Sequence, residues 1–225
     1  MKEYILLTGA SSRIGYEMAN QLAAKKINLI LVARTESELQ HMQVELTAKY
    51  GIQVKYFASD LSHVNAATDL HKAVQEENCV ITHLVNNTGV GNSGAFTETS
   101  LEEELSVIQL NISSLVVLTQ LFAQDMVRRN SGRIMNVGWE LSFLPSPYSA
   151  VHSATKAFIL AFSNALAAEL EGTGVSIISL SIGMTDSDFT NTAAQSINLQ
   201  KVKSLHPKEV ATKGVKHLLE GEGKK

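Results

Sequence analysis

A histidine and a lysine stand four residues apart in a segment whose composition predicts a helix. In the stretch HSATKAF, His152 precedes Lys156 by four positions. Residues with this spacing lie one turn apart on the same helix face, so the Lys156 ammonium should disfavour a second positive charge and keep His152 neutral. A neutral imidazole is a competent base and a poorer acid. The pair therefore predicts a site that removes a proton from its ligand.

Other side chains extend this prediction. Trp139, the only tryptophan in the chain, follows a predicted strand and lies thirteen residues before His152. A flat organic molecule could stack on the indole ring of Trp139 while His152 removes its proton. The resulting anion would be stabilised by one of three side chains, Lys156, Asn111 or Arg13.

The motif SATKAF resembles the active-site helix of the short-chain dehydrogenase/reductase family, which is marked by a tyrosine four residues before a lysine. Lys156 matches that lysine, whereas His152 stands at the tyrosine position and Trp139 at the usual serine position. The resemblance implies that Asn111 supports a water relay and that Lys156 binds the cofactor ribose. It also implies that the carbonyl has lost its serine donor, a loss that costs roughly 10²- to 10³-fold in rate in comparable sites.

A small-residue turn, TGASSRIG at positions 8 to 15, resembles the nucleotide-binding turn of the same family. Gly9 and Gly15 match its first and third glycines, Arg13 replaces the middle one, and Ser11 and Ile14 complete the implied cofactor site. The middle glycine normally lets the backbone approach the pyrophosphate at a helix N-terminus. Arg13 should obstruct that approach, although a guanidinium that swings aside could itself bind phosphate. We therefore expect either a weakened NADP site or no cofactor.

The remaining cofactor positions match the family pattern. Arg34 ends the second predicted strand, where an arginine favours the 2′-phosphate of NADP over the free ribose of NAD. The resemblance implies further cofactor contacts at five positions: Asp60, Leu61, Asn87, Gly89 and Ser187.

Short apolar runs alternate with amphipathic segments along the chain, which predicts a doubly wound, Rossmann-like α/β fold with a mostly parallel sheet and helices on both faces. The predicted strands cover residues 3–8, 27–33, 53–58, 80–85, 133–137 and 175–181. The predicted helices cover residues 14–25, 36–50, 62–77, 100–129, 148–171 and 207–221. We expect one domain over residues 1–225 that resembles the family domain with a shortened C-terminal end.

The composition argues against several classes of partner. The net charge is −3, and no basic block or basic helix face stands out, so nucleic-acid and membrane-surface binding are not expected. One cysteine, Cys79, fits a reducing compartment, and no signal peptide is apparent, which predicts a cytoplasmic protein. The histidines lack metal-ligand spacing, so no metal site is expected. A small-molecule ligand and a possible homodimer are the expected partners.

Three functions follow from the exchanged catalytic positions. The preferred hypothesis is that NADP(H)-dependent carbonyl and alcohol interconversion has been replaced by cofactor-independent base chemistry, namely proton abstraction, elimination or isomerisation with His152 as the base. The alternatives are a residual NADP(H)-dependent oxidoreductase and a non-catalytic binding protein. The substitutions are compatible with natural repurposing and with engineering.

Overall fold

The structure is a computed structural model, and it describes residues 1–139, 145–182 and 205–220. Within these residues, six strands form one parallel sheet in the order β3-β2-β1-β4-β5-β6. The strands are β1 Glu3–Thr8, β2 Leu29–Ala33, β3 Val54–Ala58, β4 Val80–Asn86, β5 Gly132–Trp139 and β6 Val175–Ile182. The predicted doubly wound α/β fold is confirmed. Because the strand order reverses between β1 and β4, a crevice opens at their carboxyl ends, where such folds bind ligands.

Seven α-helices and one π turn connect and follow the described strands. They are α1 Arg13–Ala24, α2 Glu36–Tyr50, α3 Ala66–Glu76, α4 Leu101–Ile108, the π turn Gln109–Ser113, α5 Ser114–Arg128, α6 Ala150–Glu169 and α7 Pro207–Glu220. The predicted helix over residues 100–129 is thus interrupted by a wider turn. Such turns occur frequently at functional sites.

Hydrophobic side chains fill both sides of the sheet. Alternation along β1 places Ile5 and Leu7 in one buried cluster and Tyr4 and Leu6 in another. The first cluster includes residues of α1, α2 and α7, and the second includes residues of α3 and α5. Both faces of the sheet are therefore covered, which explains why its strands are almost continuously apolar.

The described part of the chain contains one helical segment, Leu101–Arg128, that is long and apolar enough to cross a membrane by length and composition, with a mean hydropathy of 1.7. About half of its most apolar stretch, 44%, is buried inside the protein. A helix that packs in a globular core has the same properties, so this finding is weak evidence for a membrane span.

Candidate functional site

The turn between β1 and α1 forms a glycine-lined cradle at the sheet edge. Gly9 has a φ of +63°, a region that side chains with a Cβ rarely adopt. A Cβ on Gly15 would lie 2.1 Å from the carbonyl oxygen of Gly9, so the first turn of α1 packs directly on the loop. The Ser12 hydroxyl caps α1 by accepting a hydrogen bond from the Gly15 amide at 3.1 Å. These contacts leave a helix N-terminus facing the crevice, which suits a phosphate group.

Arg13 is the first residue of α1, and its side chain is exposed. Its backbone is helical, so this position does not need the conformational freedom of glycine. The side chain starts at the rim of the cradle rather than inside it. Arg13 therefore limits the approach of a phosphate through the bulk of its side chain, and the backbone of the turn itself keeps a shape that suits a dinucleotide.

The end of β4 is tied to this cradle by Asn87. Its Nδ2 donates hydrogen bonds to the carbonyl oxygens of Thr8 and Gly9, both at 3.1 Å. In return, the hydroxyl oxygen of Thr8 accepts from the amides of Asn87 and Thr88, again at 3.1 Å. Asn87 is thus a structural link between the ends of two neighbouring strands, in addition to its predicted role as a cofactor contact.

Arg34 and Asp60 lie together near the ends of β2 and β3. Burial raises the pKa of the Asp60 carboxyl, but two hydrogen bonds from Ser62 and the charge of Arg34 outweigh it and bring the pKa below the usual value. Arg34 itself is exposed. An exposed guanidinium at the end of the second strand is the group that recognises the 2′-phosphate of NADP.

Leu61, one of the predicted cofactor contacts, has a buried side chain. Its side chain is 4% exposed and belongs to the hydrophobic cluster beneath α3 and α5, and its carbonyl oxygen accepts from the hydroxyl of Ser114. Any contact between this residue and a nucleotide would have to come from its backbone. Ser187 lies outside the described residues.

Asn111 occupies the middle of the π turn and holds the loop that follows β4. Its Oδ1 accepts from the Val90 amide at 3.0 Å, and its Nδ2 donates to the Val90 carbonyl oxygen at 2.8 Å and to the Thr155 hydroxyl at 3.0 Å. The residue is 1% exposed. The wide turn therefore directs a polar side chain into the crevice, where it fixes the backbone of Val90.

His152 is also directed at Val90. Its Nδ1 lies 3.0 Å from the Val90 carbonyl oxygen, and its ring centroid lies 5.9 Å from that of Trp139, with the two planes tilted by 53°. Burial, followed by the positive charge of Lys156, lowers the pKa of His152 to about 4. The imidazole is therefore neutral at neutral pH, as predicted, and it is a much weaker base than an ordinary histidine.

Lys156 lies one turn further along α6, at the base of the crevice. Its Nζ donates to the carbonyl oxygen of Val137 at 3.4 Å, and a Cβ added to Gly89 would come within 3.2 Å of the same nitrogen. Burial lowers the pKa of Lys156 to about 8. The ammonium thus lies between the ends of β4 and β5 and is far easier to deprotonate than an exposed lysine.

The structure brings the four predicted catalytic residues into one region. Asn111 and His152 share Val90, His152 contacts Trp139, and Lys156 acts on the charge of His152. The sequence prediction missed Val90 and Thr155, and the hydroxyl of Thr155 also donates to the His152 carbonyl oxygen at 2.7 Å. A threonine three residues after a predicted site histidine was the available signal for Thr155, whereas nothing local marked Val90.

No group of three or more metal-binding side chains occurs among the residues that the structure describes. The absence of a metal site remains a prediction.

Comparison with known proteins gives the site its context. Residues 3–198 match the family model described as short chain dehydrogenase. A very-long-chain 3-oxoacyl-CoA reductase from Pyrenophora tritici-repentis is 40% identical over 177 residues, which cover 76% of this chain and 52% of the relative. A protein of the same name from Meyerozyma guilliermondii is 36% identical over 184 residues, which cover 78% of this chain and 54% of the relative. The chain thus spans about half the length of these curated relatives.

A solved structure shows the same fold. The short-chain dehydrogenase from Sphingobium yanoikuyae in complex with NADPH superposes with a TM-score of 0.87 at 27% identity, covering 96% of this chain and 84% of that one. The similarity therefore extends over nearly all of the chain.

These comparisons overturn the preferred functional hypothesis of cofactor-independent base chemistry. The curated relatives are reductases by name, and the related structure holds NADPH, which favours the alternative of an NADP(H)-dependent oxidoreductase. The geometry gives a physical reason. A histidine whose pKa is lowered to about 4 is a weak base and is poorly suited to remove a proton from a weakly acidic carbon.

Proposed function

Because the chain belongs to the short-chain dehydrogenase family, we propose that it is an NADP(H)-dependent oxidoreductase that interconverts a carbonyl group and an alcohol. The observation that carries this proposal is the tight turn between β1 and α1, where Gly9 has a φ of +63° and a Cβ on Gly15 would collide with the Gly9 carbonyl oxygen. The N-terminus of α1 would hold the pyrophosphate, Arg34 the 2′-phosphate and Lys156 the ribose. When bound, NADPH supplies the hydride.

The names of the curated relatives suggest a substrate class. Both proteins are called very-long-chain 3-oxoacyl-CoA reductases, so a 3-oxoacyl thioester is the substrate to test first. The carbonyl would lie above Lys156, in the region bordered by the Trp139 and His152 rings. Trp139 is bulkier than the serine, and His152 is less acidic than the tyrosine, that the family resemblance implies at these positions. We therefore expect slow turnover rather than none.

The remaining expectations about the protein's surroundings stay proposals. They are a cytoplasmic location, a small-molecule substrate, a possible homodimer, and no nucleic-acid or membrane partner.

The test combines cofactor binding with turnover. NADPH is titrated into the purified protein, with binding followed by calorimetry, and its oxidation is then recorded at 340 nm with a 3-oxoacyl-CoA. We expect saturable binding in the micromolar range, slow oxidation, and a rate increase of about 10²-fold or more in the Trp139→Ser/His152→Tyr double variant, because one oxyanion donor and one acid are restored. Absence of binding at millimolar NADPH, or a double variant that binds NADPH and stays inactive, would contradict the proposal.

A further inference from the structure

Carbonyl reduction requires a proton as well as a hydride, and the source of that proton is the open question at this site. The carbonyl oxygen becomes negative as hydride arrives at carbon, so an acid must lie within hydrogen-bond reach. The family resemblance implies a tyrosine for this role, but position 152 carries histidine. The inference below rests on the proposed function and asks which side chain of this protein acts as the acid.

The geometry of His152 excludes it at neutral pH. The Val90 carbonyl oxygen can only accept, so the Nδ1 that lies 3.0 Å from it must carry the proton of the neutral ring. The Nε2 of that tautomer carries no proton to give. Protonating the ring a second time is opposed by its burial and by the neighbouring Lys156 charge. The indole N–H of Trp139 can donate a hydrogen bond, yet it does not release its proton in water.

Among the residues that the structure describes around this site, Lys156 is the acid that remains. Its Nζ lies between the ends of β4 and β5, 3.4 Å from the Val137 carbonyl oxygen, and Gly89 packs beside it, since a Cβ there would come within 3.2 Å of the nitrogen. Each ammonium has three protons, and the bond to Val137 uses one of them. The others can point toward the space that a substrate carbonyl would enter.

We infer that Lys156, rather than residue 152, donates the proton that completes carbonyl reduction in this protein. The carbonyl carbon gains a hydride from NADPH, which becomes NADP⁺, and the carbonyl oxygen takes a proton from the Lys156 ammonium. The products are an alcohol and a neutral Lys156 amine, and the amine recovers a proton from water before the next turnover.

The electrostatic surroundings of Lys156 support this role. In the part of the chain that the structure describes, the elements around it contribute Val137 from β5, Gly89 from the loop after β4 and His152 from α6, and of these three His152 can titrate. Among the described residues, no carboxylate forms an ion pair with Lys156. Burial therefore lowers the pKa of Lys156 to about 8 without a compensating anion, so the group is charged at pH 7 and can still release its proton.

The decisive variant is Lys156→Arg, which keeps the positive charge but cannot donate a proton at neutral pH. We expect Lys156→Arg to bind NADPH within about fivefold of the wild type while kcat falls by about 10²-fold or more, the usual contribution of a general acid. The double variant His152→Tyr/Lys156→Arg should regain at least tenfold in kcat, because a phenol then donates. A Lys156→Arg protein that keeps kcat within about threefold of the wild type overturns the inference.

A second readout does not depend on turnover. Trace labelling of the cofactor-free protein with acetic anhydride between pH 6 and 11, read by mass spectrometry, gives the titration of each lysine. Lys156 should reach half-maximal reactivity near pH 8, about two pH units below a reference lysine peptide, and NADPH should protect it. If Lys156 titrates at the same pH as the reference peptide, the inference is wrong. Because this measurement uses the wild-type protein, it also tests the inference if Lys156→Arg fails to bind NADPH.

Failure of the inference can be told from failure of the proposed function. A wild-type protein that neither binds nor oxidises NADPH refutes the proposed function, whereas an active wild type with an equally active Lys156→Arg variant refutes only the assignment of the proton donor.

Tyr148→Phe is the control that tests whether another phenol donates the proton, since Tyr148 is 54% exposed and lies just before α6. Its kcat should equal that of the wild type, and a loss of about tenfold or more would transfer the donor role to Tyr148.

Discussion

At the scale of single residues, His152 acts as an anchor for a loop. The imidazole and the Asn111 amide both bind Val90, so two elements that are far apart in the sequence hold the same backbone unit. A tyrosine at position 152 would add an acid to the site, but it would also remove the Nδ1 contact that helps to hold this loop. Restoring turnover by His152→Tyr is therefore expected to cost some stability.

The exposed guanidinium at the rim of the cofactor cradle gives a prediction about affinity. Arg13→Gly should lower the Kd for NADPH by about threefold to tenfold, or roughly 0.7 to 1.4 kcal/mol, because the bulk beside the pyrophosphate is removed. Arg13→Gln keeps most of the bulk without the charge and should leave the Kd within about threefold of the wild type. Calorimetric titration of the three proteins checks both statements.

The opposite result would be equally informative. If both variants bind NADPH more weakly than the wild type, the Arg13 guanidinium contacts a phosphate instead of obstructing it.

Some of the site could be predicted from local spacing, and some could not. The four-residue separation of His152 and Lys156 predicted their shared helix face and the neutral imidazole, and the structure agrees with both. Val90 could not be found in this way, since its importance comes from contacts with residues 21 and 62 positions away. The burial of the Leu61 side chain also depends on distant contacts, because Leu61 packs in the cluster that α3 and α5 cover.

At the scale of single elements, α1 and α2 differ in how their N-termini are capped. Ser12 precedes α1 and its hydroxyl accepts from the Gly15 amide, whereas Thr35 precedes α2 without a side-chain cap. Ser12→Ala should therefore reduce the free energy of unfolding by about 1 kcal/mol. Thr35→Ala is the matched control and should change it by less than about 0.5 kcal/mol. Urea denaturation followed by circular dichroism measures both, and equal losses would show that the Ser12 bond contributes nothing.

Strand and helix types were easier to predict than their limits. All six predicted strands are present, but β5 extends two residues past its predicted end, to Trp139, through pairing with β6. The predicted start of α3 at residue 62 was too early, because Asp60 accepts from Ser62 and holds a turn there, so that the helix begins at Ala66. Both differences come from contacts outside the predicted segment.

At the scale of the whole molecule, two histidines, the half-buried His83 and the buried His152, link stability to pH. Burial, followed by the charge of Arg133, lowers the pKa of His83 to about 4, and His152 has a similar value. The unfolded chain binds protons on these residues below about pH 6.5 while the folded protein does not, so their contribution is present above that pH and is lost as the pH falls toward 4. Each residue contributes at most about 3 kcal/mol to this loss.

A variant separates the two contributions. In His83→Gln, the free energy of unfolding should fall less steeply as the pH decreases from 6.5 to 4. The slope should be smaller by the contribution of about one bound proton, as measured by urea denaturation at a series of pH values. His41→Gln, at an exposed position of α2, controls for the loss of a histidine. An unchanged slope in His83→Gln would mean that His83 titrates normally in the folded protein.

The π turn at Gln109–Ser113 has a consequence for how this chain tolerates insertions and deletions. A π turn holds one residue more than a regular α-helical turn, so deleting one residue from it would let α4 and α5 join as one regular helix with their faces kept nearly in phase. The Asn111 amide would then lose its hydrogen bonds to Val90, so the loop after β4 would no longer be held beside the site, although the helix itself would be more regular. At these positions a deletion can improve the helix and still abolish the site, so selection for stability and selection for chemistry favour different lengths of the same chain.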